Sequence, residues 1–255
     1  MKGFLLALQF LTTFPVNRGL KTDPSELGRS MSWFPLVGAL QGLLLVAAYF
    51  IFSTLLPESV VMGLLMLVLV LTNGGLHVDG FADTVDGLAG GKTPEDRLRI
   101  MRDSSTGAIG VLFVVLLMLL KFLSLQELPE EARPQAIFLF PVFGRWAMVP
   151  LACWAPYARP TGGLGAAFAG NSRDVLAKAT LAAAVLLSLL LGVLSLVLVL
   201  VFGILLYLSS GYFKRKLGGV TGDVFGFHSE IAEVFFLIGV LAMTNVLSTD
   251  LLEGR

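Results

Sequence analysis

Val175-LAKATLAAAVLLSLLLGVLSLVLVLVFGILLYLS-Ser210 is the stretch on which the fold turns. It is almost uninterruptedly apolar and carries a single charge, Lys178. About 20 such residues suffice for a helix to cross the hydrocarbon core of a bilayer, so this run is too long for one crossing. It divides near Gly192 into two. The composition agrees with that reading, because 56% of the 255 residues are hydrophobic and only 14% are charged, against roughly 25% charged in soluble domains. The expected fold is therefore all-α, a polytopic transmembrane helical bundle.

Working outward, further spans are expected at Met31–Leu56, Val60–Leu76, Gly107–Leu125, Gln135–Ala155 and Ile231–Ser248, about seven in all. The short run from Phe4 to Phe10 behind Lys2 ends in Thr12-Thr-Phe-Pro15 with no small-residue cleavage pattern. It reads as an interfacial or re-entrant helix and not as a secretory signal. No internal repeat divides the chain, which is read as a single integral-membrane domain over 1–255.

Loop charge predicts orientation, since short loops rich in Lys and Arg stay in the cytoplasm. Lys2, Arg18, Lys21 and Arg29 precede the first span; Lys92, Arg97, Arg99 and Arg102 follow the second; Arg159, Arg173 and Lys178 follow the fourth; Lys214, Arg215 and Lys216 follow the sixth. The alternate loops are acidic or nearly empty, with Glu58 alone in one and Glu127, Glu130 and Glu131 with Arg133 in another. The amino terminus and the polar loops should thus be cytoplasmic and the carboxyl terminus outside. A balance of 18 basic and 18 acidic residues points to no nucleic acid partner. The one cysteine, Cys153, excludes both an intramolecular disulfide and a cysteine metal site.

Against this apolar background stands His77-Val-Asp79-Gly-Phe-Ala-Asp83-Thr-Val-Asp86-Gly87. In a helix Asp79, Asp83 and Asp86 share one stripe. Three neighbouring carboxylates repel one another, and oxygen-only ligands suit a hard cation such as Mg²⁺ that completes its shell with water and substrate phosphates. Ionisable groups at a membrane boundary are functional by default, so a metal-bound diphosphate is preferred over a merely solvated acidic loop. Downstream, Thr93-Pro94-Glu95 is a helix start, carrying Arg97 and Arg102 as candidate phosphate ligands. Asp103 is a candidate base or further ligand. A second constellation, Gly218-Gly-Val-Thr-Gly-Asp223 with Glu230 and Glu233, enters the last span; its glutamates should face the interior beside a cation, for which Arg145 is the candidate partner.

Together these residues resemble the signature of the cobalamin synthase family. The resemblance is carried by Asp79-Gly-Phe-Ala-Asp83-Thr-Val-Asp86-Gly87, Arg97, Met101-Arg-Asp-Ser104 and Gly107, with Gln9-Phe-Leu-Thr-Thr-Phe-Pro15, Gly144-Arg-Trp146 and Gly218–Asp223 in support. Phe227 and His228 depart from the small or apolar residues expected there. The resemblance implies a membrane-embedded, Mg²⁺-dependent phosphotransferase that joins α-ribazole or its 5′-phosphate to adenosylcobinamide-GDP and releases GMP, a late step of cobalamin biosynthesis. It further implies metal ligands Asp79, Asp83 and Asp86, catalytic roles among Asp83, Asp103 and Asp223, and substrate contacts from Arg97, Arg102, Arg145, Glu230 and Glu233. The bacterial inner membrane is the expected location, with room for a homo-oligomer. A CDP-alcohol phosphotransferase would require an Arg after Ala82, where Asp83 stands. A transporter would place its carboxylates at the midplane of facing spans.

Overall fold

The computed structural model describes residues 2–16, 23–160, 162–163 and 165–253, with side chains as far as residue 245. Arg18 and Lys21 lie outside the described residues. Helix α1 (Lys2–Leu11) is short and apolar, and it packs beside α2 (Pro24–Ser30), which a 3₁₀ turn joins to α3 (Phe34–Ser53). Asp23 and Glu26 close a capping box on α2, so the first membrane-length segment begins at Pro24 and not at Met31.

Then come α4 (Glu58–Asn73) and α5 (Leu76–Gly90), meeting at 89°. The break is at Gly74 and Gly75, whose φ angles of 64° and 73° fall in the left-handed region that glycine tolerates. The three aspartates are thereby lifted out of the line of the second span onto a helix of their own. Helix α6 (Pro94–Ile100) is the short one forecast by Thr93-Pro94, and the Thr93 hydroxyl accepts from Asp96 N at 3.1 Å.

Four long apolar helices complete the bundle with α8 (Arg133–Trp154) at its centre: α7 (Ala108–Gln126), α9 (Arg173–Leu191), α10 (Leu196–Leu217) and α11 (Gly222–Glu253). Gly192, at φ 78°, separates α9 from α10 as the length argument required. The last helix starts at Gly222, nine residues ahead of the expected Ile231. Its polar first turns continue the helix because their side chains find partners within the protein. In particular, Phe227 stacks on Phe81, and His228 is held by Val224 O at 2.8 Å and Ser209 Oγ at 2.6 Å.

Helix α8 packs closely on α3 because Gly38 and Gly42, four residues apart, present no side chain; a Cβ at either would collide with α8 backbone at Phe138 or Pro141. The outward faces of α7, α9 and α10 carry Leu112, Leu119, Leu181, Leu189, Leu200 and Leu208, all exposed. In water such a belt would drive association; around a bundle of six membrane-length helices, or seven with the bent pair, it is the surface that meets lipid.

Candidate functional site

Helices α5 and α11 cross in direct backbone contact, since a Cβ on Gly80 would come within 2.9 Å of Asp223 Cα and one on Gly226 within 3.0 Å of His77 O. That approach joins the two acidic constellations. The charges of Asp79, Asp86, Asp223 and Arg159 all act on Asp83, and Asp79 acts in turn on Asp223. Asp223 is fastened by Arg159, whose Nη2 donates to its Oδ2 at 2.5 Å, and by the Thr221 hydroxyl at 3.2 Å. Among the described residues both partners fall on Oδ2.

Arg159 had looked like a topology determinant only. It reaches the site because the chain after α8 pairs with the chain before α11: Val220 N donates to Pro156 O and Ala158 N to Val220 O, each at 2.9 Å. Gly219 permits this, as a Cβ there would strike the Pro156 carbonyl. The sequence signal was the run of glycines at 218, 219 and 222, which announced a close approach without saying to what.

The members of the aspartate stripe differ in their surroundings. Asp79 is exposed and Asp83 half-buried. Asp86 accepts from Gly107 N at 2.7 Å on one oxygen and from Gly110 N at 2.8 Å on the other, so it caps the amino terminus of α7 from outside. Among the described residues no three His, Cys, Asp or Glu side chains converge closely enough to enclose a metal unaided. The donor set is nonetheless all oxygen and strongly anionic, with Arg159 as its near cation, which suits a hard cation whose remaining ligands come from water and phosphate.

Asp103 stands apart on the loop between α6 and α7. It is exposed and accepts from both the amide and the hydroxyl of Ser105, at 3.0 and 2.6 Å, which hold its carboxyl below the ordinary carboxylate range. Such a group is a weak base. Arg97 spends its guanidinium on two carbonyls, Lys216 O and Lys92 O, both at 3.1 Å, strapping α6 to α10. Arg102, Arg99 and Arg159 line one side of a 250 Å³ hollow with Glu95, Leu98 and Pro160. Three guanidinium groups there form a basic rim next to the acidic cluster.

Arg145, Glu230 and Glu233 lie in the bundle interior, where Arg145 pairs with Glu233 and a cation that was not anticipated links the two glutamates. Lys121 Nζ meets Glu230 and Glu233 at 2.6 Å each, and Arg145 Nη1 meets Glu233 and Ser229 at 2.8 Å, while Gln41 accepts from Arg145 Nε at 3.0 Å. All four charged side chains are at most 2% exposed. Two cations balance two anions, so the glutamates face inward beside Arg145 as expected, but in a closed network. Lys121 was visible as the lone cation in the third span, and its span neighbours hid its importance.

Between these two features a cavity of about 150 Å³ is walled by His77, Asp79, Met148, Tyr157, Arg159 and Asp223, among others. Burial pushes the Tyr157 hydroxyl above its usual range, keeping it a donor.

The family described as cobalamin-5-phosphate synthase matches residues 3–241. The chain is 37% identical over 244 residues to the adenosylcobinamide-GDP ribazoletransferase of Geotalea daltonii, covering 95% of this chain and 98% of the relative. It is 40% identical over 245 residues to the enzyme of that name from Pseudomonas fluorescens, covering 94% and 99%, and 41% identical over 243 residues to one from Pseudomonas putida, covering 94% and 98%. No solved structure matches the chain.

Proposed function

The chain belongs to the cobalamin-5-phosphate synthase family, and from that premise we propose how its residues transfer a phosphoryl-linked group from adenosylcobinamide-GDP to α-ribazole or its 5′-phosphate. The chain is a membrane-embedded transferase of cobalamin synthesis. In the transfer a ribose hydroxyl oxygen of the acceptor bonds to the phosphorus nearest the cobinamide. The bond from that phosphorus to the bridging oxygen breaks, GMP leaves with the electron pair, and the hydroxyl proton passes to a base. Catalysis of this kind consists of positioning and of neutralising charge.

The observation that carries the assignment is the meeting of Asp79, Asp83 and Asp223 beside Arg159. Asp79 and Asp83 would hold Mg²⁺, with Asp86 fixing their helix against α7. When bound, the ion supplies charge neutralisation on the diphosphate. Arg159 contacts the same diphosphate, and Arg102 and Arg99 receive the phosphate of departing GMP, in keeping with the bidentate fit of guanidinium to phosphate. Asp223 takes the hydroxyl proton on Oδ1, since its partners among the described residues fall on Oδ2. Glu230, Glu233 and Arg145 act through the framework, since they are buried in mutual pairs.

The site faces the cytoplasm of a bacterial inner membrane. Arg97, Arg102, Arg159 and Lys216 gather around it, and positive loops remain inside. The test is purified protein with adenosylcobinamide-GDP, α-ribazole and Mg²⁺. GMP should appear and should cease with a chelator. Absence of GMP, with labelled solute instead crossing vesicles, would replace the transferase with a transporter.

A further inference from the structure

The chain has two histidines, and the fold treats them differently. Both are buried, His77 at 2% and His228 at 4% exposure. His228 has a protein partner on each ring nitrogen. Among the described residues His77 has none on either. Buried polar groups are overwhelmingly hydrogen-bonded, and one left over calls for an explanation. His77 lines the 150 Å³ cavity beside the aspartate cluster, where Tyr157 Oη and Arg159 Nε, also buried, make no bond of good geometry either.

The walls indicate what the cavity takes. His77 shares the wall with Met148 and Phe225, both almost fully buried. Glycines 165, 222 and 226 leave the wall without side chains. Asp79, Asp223 and Arg159 supply the wall's charge, and Arg159 is already paired with Asp223. The nearest other cations, Arg145 and Lys121, are already paired with Glu230 and Glu233. Two carboxylates and one already paired guanidinium make the wall a poor receptor for an anion, whereas a flat apolar ring with one hydrogen-bonding atom can meet Met148, Phe225 and His77. The volume is below the roughly 300 Å³ at which sites for drug-sized ligands begin, which admits a fused ring and excludes a corrinoid or a whole guanosine diphosphate.

We propose that this cavity receives the heteroaromatic base of the acceptor nucleoside, with a ring nitrogen of His77 hydrogen-bonded to the free ring nitrogen of that base. The proposal rests on the transferase reading. In α-ribazole one nitrogen of the benzimidazole forms the glycosidic bond and the other is free to accept. With the base against His77, the ribose extends toward Asp79, Asp223 and Arg159, where the reacting hydroxyl is needed. His77 thus acts as a specificity-determining contact for the acceptor, apart from the phosphate chemistry.

The test compares α-ribazole with its indole analogue, in which C–H replaces the free nitrogen, using GMP release by wild type and by His77→Phe at saturating adenosylcobinamide-GDP and Mg²⁺. Wild type should favour α-ribazole by about 10-fold or more in kcat/KM, as one buried hydrogen bond allows. His77→Phe should bring the two acceptors within about 2-fold while leaving the KM for adenosylcobinamide-GDP unchanged, and His77→Asn, which can still donate, should keep part of the preference. Equal use of both acceptors by wild type overturns the proposal whatever the variants do, as does a preference that survives in His77→Phe or a change confined to the KM for adenosylcobinamide-GDP. Wild-type turnover without discrimination removes this proposal alone; no GMP from either acceptor removes the transferase reading with it.

Discussion

Asp83 and Asp103 both lie in the polar stretch between α4 and α7, yet their surroundings assign them opposite prospects. Asp83 sits half-buried among Asp79, Asp86 and Asp223, where the proposed metal would need a carboxylate that an amide cannot replace. Asp83→Asn is expected to lower turnover by about 100-fold or more while the protein still inserts and purifies as a folded species; full activity would remove the metal site. The carboxyl of Asp103 is depressed by Ser105. It therefore stays ionised as pH falls through the ordinary carboxylate range and protonates only below it. Asp103→Asn should leave the acid limb of the kcat/KM profile in place, and a displaced limb would restore Asp103 as the base. Lys121 presents a third situation, a cation bonded to two buried carboxylates. Lys121→Met strands one charge of the pair-balanced network, which costs about 3–5 kcal/mol and should appear as a lower thermal midpoint in detergent. The aspartates were legible because charge is rare in this chain. Arg159 as the partner of Asp223 and Lys121 as the partner of Glu230 were not, because pairing across 64 and 109 residues leaves no local pattern.

At the scale of the helices, glycine decides where backbones meet. Helix α7 begins at Gly107 without a cap of its own and takes one from Asp86 on α5. Replacing Asp86 with Ala leaves two amides without an acceptor, a loss of about 1.5–3 kcal/mol for bonds to a charged group, and hydrogen exchange in the first turn of α7 should rise before exchange elsewhere. Gly42 lies where α3 touches α8 at Phe138. Gly42→Leu is expected to separate those helices and abolish accumulation of the folded protein. The existence and order of the helices followed from hydrophobic runs and from Pro94 and Gly192. The bend at Gly74 and Gly75 and the early start of α11 at Gly222 did not, because hydropathy averages over a window in which paired polar residues count against a span.

For the molecule as a whole, the arginine-rich loops, the acidic cluster and the cavity lie together, and single-cysteine reporters measure which side they occupy. In a Cys153→Ser background, a cysteine at Ser105 should react with a membrane-impermeant thiol reagent only after the cells are opened, and one at Glu130 should react in intact cells; the reverse pattern would invert the proposed orientation. What the sequence by itself determined is the solvent of this protein and the acidic stripe on which the proposed chemistry rests. A chain with 56% hydrophobic residues gathered into long runs has to lie in lipid as helices, and three aspartates on one helical stripe stand out whatever surrounds them. Only the tertiary structure decided that Asp86 caps a helix, that Arg159 reaches Asp223, that Lys121 bridges Glu230 and Glu233, and that His77 lines a cavity with neither nitrogen bonded among the described residues. The reason is physical: burial and partnership are properties of which helices pack together, and that packing is set by glycine contacts and buried pairs between segments far apart in the chain.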